Sequence, residues 1–184
     1  MNVSTEPMPD GSSAITFGID LASVALPDKR YAADVAGVER DEYLVKLLFG
    51  QRKVGGIELR NLVVVSMSPK SVERLLDNSK EFMKAIEQYL DEKGIAAAPL
   101  VEISDEPGET VAMTANIVSA FRAETESTLE FYYATPEALH LLTKNHTGIA
   151  IDSIVSIDLP LAVLSTLLRA LSDGVSTGTG RRDT

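Results

Sequence analysis

The feature that most constrains this chain is that it carries one pattern twice. Moved forward 82 places, residues 33–49 fall on 115–131: Ala33, Arg40, Glu42, Leu47 and Phe49 meet Ala115, Arg122, Glu124, Leu129 and Phe131, while Asp34 and Val35 meet Asn116 and Ile117. A second block, Val64, Pro69, Val72 and Leu76, meets Val155, Pro160, Val163 and Leu167 at a step of 91, so the second copy is expected to hold nine extra residues. Such a repeat constrains the fold before any local pattern does, because each copy must bury an equivalent apolar face. At 184 residues the chain can build one substantial core, whereas either copy alone would be marginal. The expectation is an α+β fold of two antiparallel, strand-rich repeats, each followed by a helix, sharing one core.

The pattern between these landmarks divides the chain. Residues 1–13, rich in Ser, Pro and Gly, are read as a flexible arm, and residues 14–94 as the first repeat. Ile15, Phe17, Ile19 and Leu21 alternate with smaller or polar residues, as a half-buried strand requires. Three further apolar stretches follow at Tyr31 to Val38, Glu42 to Phe49 and Ile57 to Met67. Ser68-Pro69 then opens a long helix, with serine to cap the free amides and proline at the first helical position. Val72, Leu75, Leu76, Phe82, Met83, Ile86 and Leu90 make one apolar stripe that ends at Gly94. A helix of this length, roughly 37 Å at 1.5 Å per residue, overshoots a four-stranded sheet, so its far end must pack elsewhere. Residues 95–109 read as a linker and 110–173 as the second repeat. Its expected strands are Val111 to Arg122, Ser127 to Tyr133 and Ile149 to Leu159, with a short inserted helix after Thr135-Pro136-Glu137 and a terminal helix opened by Pro160. Residues 174–184 read as a disordered tail whose Gly-x-Gly follows a helix and cradles nothing.

Composition removes several function classes. The chain has no cysteine, which removes thiolate nucleophiles and cysteine-ligated zinc and agrees with a reducing compartment. No apolar run approaches the roughly 18 residues that span a bilayer, and the first residues are acidic and small, so no membrane insertion and a cytoplasmic location are expected. The net charge of −10 is uneven: residues 101–173 hold 3 basic and 11 acidic side chains. With no basic face to displace counterions from phosphates, nucleic acid is not an expected partner. An acidic field favours basic or unfolded cationic partners instead.

The chemistry-bearing side chains form no recognisable constellation. His140 and His146 lack further ligands at workable spacing, so no metal or cofactor is expected. Asp105, Glu106 and Glu109 lack the alternating oxygen ligands and central glycine of a calcium loop, and Asn145-His146-Thr147 matches a glycosylation sequon only by chance. No Gly-x-Ser-x-Gly is present, and Ser68 reads as a cap. Arg40 with Glu42 and Arg122 with Glu124 suit a cross-strand pair or a turn-fixing contact. On the strand from Glu42, one face holds Tyr43, Val45, Leu47 and Phe49; the other holds Leu44, Lys46 and Leu48 and must be covered or used. The corresponding face in the second copy is Thr128, Glu130 and Tyr132. Leu44, Leu48, Tyr132, Phe82 and Leu90 are therefore the candidate contacts for a protein partner or an extended apolar peptide, and no catalytic residue is assigned.

The run YAADVAGVERDEYLVKLLFGQRK, followed by VVVSMSPKSVERLL and a long amphipathic helix, resembles a family of uncharacterised bacterial and archaeal domains about ninety residues long. Its order of strands then helix is similar to that of SecB, the tetrameric export chaperone. The resemblance covers residues 30–94 and, more weakly, 114–172; Asp34 stands where the family has asparagine, which Asn116 retains. It implies two SecB-like repeats and a chaperone or adaptor that binds extended apolar peptides; the repeat, the missing catalytic constellation and the apolar outer strand faces lead to the expectation of a non-enzymatic protein-binding or assembly module, homo-oligomeric through the long helix or the sheet edges. Two alternatives are a structural subunit of a larger particle, such as a phage or secretion assembly, and a hydrolase. The hydrolase would need Glu124, Glu130, Asp152 or Asp158 to converge.

Overall fold

The structure is a computed structural model that describes residues 2–7, 13–18, 24–56, 58–100, 109–143 and 150–178. In chain order these form β1 (Asn2–Pro7), β2 (Ser13–Gly18), β3 (Arg30–Ala32), β4 (Val35–Arg40), β5 (Val45–Arg52), β6 (Leu59–Met67) and α1 (Pro69–Lys93). The second half follows with β7 (Thr110–Thr114), β8 (Ile117–Ala123), β9 (Glu126–Tyr133), α2 (Pro136–Thr143), β10 (Asp152–Pro160) and α3 (Leu161–Gly178). The fold is α+β, with two four-stranded sheets ordered β4-β5-β6-β7 and β3-β10-β9-β8 and a separate β1-β2 pair. Residues 2–7, placed in a flexible arm by composition, form a strand antiparallel to β2. A single strand leaves its N–H and C=O groups unpaired, and β1 satisfies those of β2.

Each four-stranded sheet takes three strands from one half and one short strand from the other. β7 lies parallel to β6, with Ser66 opposite Thr114, and β3 lies parallel to β10, with Asp158 opposite Ala32. All other pairings in the two sheets are antiparallel. The sheets are joined where the sequence shows its repeated Ala-Asp/Asn pair. The Ala33 N–H donates to the Asp158 carbonyl at 2.8 Å and ends β3; one residue on, the Asp34 N–H donates to the Gly50 carbonyl in the other sheet at 3.0 Å. In the second half the Ala115 N–H donates to Ser66 and the Asn116 N–H to Tyr132, both at 3.0 Å. The side chains match too, since Asp34 accepts the Arg52 N–H and Asn116 accepts the Ala134 N–H, both at 2.9 Å. The apolar runs 31–38 and 111–122 are therefore each two strands, broken where the chain crosses between sheets.

Strand register gives a different step for the second block of matched residues. Phe49 stands opposite Val63 and Phe131 opposite Val155, so the corresponding step from Val63 to Val155 is 92. A step of 91 pairs Val64 with Val155 and swaps the two faces of the strand. The slip arises from an irregularity in β10 between Ser153 and Val155 and from the chance correspondence of Pro69 with Pro160. Pro160 in fact closes β10, and α3 opens at Leu161. At a step of 92, Val72, Leu75 and Leu76 correspond to Leu164, Leu167 and Leu168, and all six are buried.

Helix α1 has the ends its sequence requires. The Ser68 hydroxyl accepts the Ser71 N–H at 3.2 Å, and Gly94 closes the helix at φ 64°. A side chain is strained at that angle. Helix α3 does not stop at Gly174, where a tail was expected, but runs to Gly178. There the glycine makes room. A Cβ on Gly174 would lie 2.3 Å from the Arg40 Cζ, whose guanidinium donates to the carbonyls of Ala170 at 3.1 Å and Leu171 at 2.6 Å.

One cluster of buried apolar side chains draws on both four-stranded sheets and on α1 and α3. It includes Leu47, Phe49, Val63, Val65 and Met67 from the first sheet, Leu129, Phe131, Val155, Ile157 and Leu159 from the second, and the inner stripes of α1 and α3. Phe49 and Phe131 meet edge to face, ring centroids 5.8 Å apart. Arg40 on β4 reaches α3, while Arg122, its counterpart on β8, lies over the Tyr89 ring of α1 at 4.2 Å. Neither arginine serves as the turn-fixing contact expected within its own strand pair. Each ties its sheet to the helix of the other half.

Candidate functional site

The residues singled out from the sequence do not form a common groove. Leu48 on β5 is 5% exposed, Leu90 on α1 is 5% exposed and Tyr132 on β9 is fully buried. Phe82 is half-buried and packs against the core. Only Leu44 is left open, at 40% exposure. The outer face of β5, which looked too apolar to stand in water, is covered by the chain itself around Leu48 and Gly50: Leu48 is buried, as are Val35 and Leu62, which flank Gly50 on β4 and β6. The apolar stripe of α1 is likewise spent inside the molecule, and its outer face carries Lys80 paired with Asp77 and Lys84 with Glu81. That charged surface does not suit assembly through the long helix.

The carboxylates considered for catalysis do not converge. Glu124 sits in the β8–β9 turn at φ 52°, whereas Asp152 opens β10 opposite Tyr133, at the far end of β9. Glu130 and Asp158 share the outer face of the second sheet, and both are engaged. The buried Tyr132 hydroxyl donates to Glu130 at 2.6 Å; burial first, and this carboxylate second, push the phenol above its ordinary range. Asp158 takes two hydrogen bonds from Arg30, one of them 2.8 Å, and a third from Thr128 at 2.7 Å. The Arg30 guanidinium holds its carboxyl below the usual carboxylate range.

Among the described residues no three His, Asp or Glu side chains come together as a metal site, and no helix is long and apolar enough to cross a membrane. The side chain of His140, together with His146, the sequon, Asp105, Glu106 and residues 179–184, lies outside what is described. An open cavity of about 400 Å³ is lined by Asp28, Lys29, Met113, Thr114, Ser153 and Ile154.

Among the described residues the exposed large apolar side chains are Leu26, Tyr43, Leu44, Val54, Ile95 and Phe121; Tyr43 and Leu44 share the β4–β5 tip. Its Asp41 carboxylate accepts the N–H groups of Tyr43 at 2.8 Å and Leu44 at 2.7 Å, and the Asp41 N–H donates to the Leu44 carbonyl at 2.9 Å. These bonds fix a tight loop that holds Tyr43 in water, 74% exposed, beside Leu44. Tyr43, placed by alternation on the inner face with Leu47 and Phe49, lies before the strand begins. Phe121 stands on β8, half exposed and missed in the sequence. The sequence match holds a signal for it: at a step of 82, the charged pair Glu39–Lys46 becomes Phe121–Thr128.

No family model matches the chain, and neither a curated protein nor a solved structure matches it.

Proposed function

We propose that this chain is a non-enzymatic protein-binding module, made by tandem duplication of a SecB-like strand-then-helix unit and closed as a fused dimer would be. The duplication is supported by the exchanged strands β3 and β7, by the crossings at Ala33-Asp34 and Ala115-Asn116, and by the steps of 82 and 92 that relate the pairings. The binding role rests on the β4–β5 tip. Three hydrogen bonds fix the backbone that presents this tyrosine and leucine to solvent, so little backbone freedom is lost on docking, and aromatic side chains are favoured interface anchors. The corresponding turn of the second half, Glu124-Thr125, has no apolar residue, so the tip is not a by-product of the repeat. An extended apolar groove, as a general chaperone would need, has no support in the burial of Leu48, Leu90 and Tyr132.

Size-exclusion chromatography with light scattering tests the reading, on the protein alone and with a permanently unfolded model client such as reduced, carboxymethylated lactalbumin. The expected result is a self-assembly or a client complex that Tyr43→Ser with Leu44→Ser weakens at least tenfold. A monomer that binds no client, or a complex indifferent to both substitutions, opposes it.

A further inference from the structure

We infer that β8 is a docking strand, whose free edge takes an extended segment of a partner protein as a fifth strand of the second sheet. This goes beyond the reading of the β4–β5 tip and uses other residues. A sheet edge presents unpaired N–H and C=O groups, and proteins protect such edges by shortness, burial, bulges or charge. Of the other three edges of the two sheets, β3 and β4 show such protection, and β7 is shorter than β8. β3 has three residues and β7 five. β4 is closed: Val35 and Ala36 are at most 2% exposed, Arg40 pins its end to α3, and Glu39 pairs with Lys46 at 3.1 Å.

β8 corresponds to β4 and is likewise tied to a helix, Arg122 lying over Tyr89 of α1, but it lacks the buried side chains and the charged pair of β4. Its seven residues pair with β9 alone, without proline or register shift, and Ile117 through Ala123 are all half-buried or exposed. Its one charge, Arg122, is engaged over Tyr89. Where β4 has the charged Glu39, β8 has Phe121, 50% exposed. A residue of an added strand beside Phe121 would form an apolar cross-strand pair, and its inward neighbours would lie next to Val118 and Ala120, which pack against the core.

Charge selects the occupant. Residues 101–173 hold 3 basic and 11 acidic side chains, so joining β8 to β8 of a second copy brings two strongly acidic halves together. An apolar segment flanked by lysine or arginine meets attraction instead.

The test is fluorescence anisotropy on the full chain, with a fluorescein-labelled peptide of alternating valine and threonine bearing lysines at both ends and a twin with glutamates there. The lysine peptide is expected to bind at least tenfold more tightly than its twin. Phe121→Lys, at a half-exposed site, should weaken it tenfold or more with an unchanged melting temperature, and Tyr43→Ser should leave it unchanged. Amide exchange should slow along Ile117–Ala123 on binding. Binding that ignores Phe121→Lys and leaves β8 exchange unaltered overturns the docking strand but leaves the tip reading standing. So does a dimer that Phe121→Lys dissociates, because the occupant is then a second copy. No binding of either peptide up to about 1 mM overturns the inference outright.

Discussion

The contact between Phe49 and Phe131 gives a direct test of whether the two halves depend on each other. Both rings are almost fully buried, 5.8 Å apart at 60°, and they come from β5 and β9, central strands of different sheets. Replacing either ring by alanine would cost about 3–5 kcal/mol, and both together would approach the whole stability of a domain, so leucine is the better probe. Phe49→Leu and Phe131→Leu should each cost about 1–2 kcal/mol, lowering the melting temperature by roughly 3–6 °C in a chain of this size. An edge-to-face pair contributes about 0.5–1.5 kcal/mol beyond its buried area, and each substitution alone already removes it. The double variant should therefore be less destabilised than the sum of the singles by about that amount. Urea titrations at 25 °C, followed by circular dichroism and tyrosine fluorescence, measure all four corners. Coincident curves and a coupling in that range are expected. Additivity within about 0.3 kcal/mol, or two separated transitions with each substitution moving only one, would refute the argument that the halves share a core.

Three further outcomes follow from particular contacts. Gly174→Ala puts a methyl where the Arg40 guanidinium lies, so it should destabilise by about 1 kcal/mol in thermal melts although alanine is the better helix former, and combining it with Arg40→Ala should add little. Ser68→Ala removes the cap of α1 and should cost about 0.5–1 kcal/mol in denaturant titration, with Ser68→Asp restoring most of it. Asp158 has its folded-state pKa lowered by Arg30, so its contribution is fully present above the unfolded value near 4 and is lost as pH falls through the lower folded value. Asp158→Asn should therefore be less stable than the parent at pH 7, by up to about 1 kcal/mol for so exposed a pair, and the difference should begin to shrink at about pH 4 and vanish only once the pH is below the lowered folded value.

Local order was legible in the sequence wherever its cause is local. Helix α1 begins at Ser68-Pro69 and stops at Gly94 because capping and a left-handed glycine act within one turn. The sequence match made Ala33, Asp34, Ala115 and Asn116 visible, but not what they do, because Ala33 and Ala115 find their partners in the other half of the chain. The stretch from Tyr31 to Val38 is apolar on both sides of Asp34, so little local marks the change of sheet there. The end of α3 was misjudged for the same reason: Gly174 looks like a stop until Arg40, 130 residues from Ala170, fills the space beside it. Exposure was the least legible property of the candidate site. Leu48 and Tyr132 alternate as outer-face residues should, yet both are covered, and a single strand does not encode what lies over it.

The exchange of β3 and β7 makes each half incomplete without the other. Arg30 and Asp158, 128 residues apart, meet only when the chain is nearly all made, because the second sheet gains its β3 edge from the first half. Cutting the chain in the 95–109 segment should then yield two fragments that each lack a strand and gain order only when mixed, a built-in pair for fragment complementation. Pairings so distant in sequence also form late and slowly. A ribosome-bound first half would wait for Thr110–Thr114 before its own sheet could close.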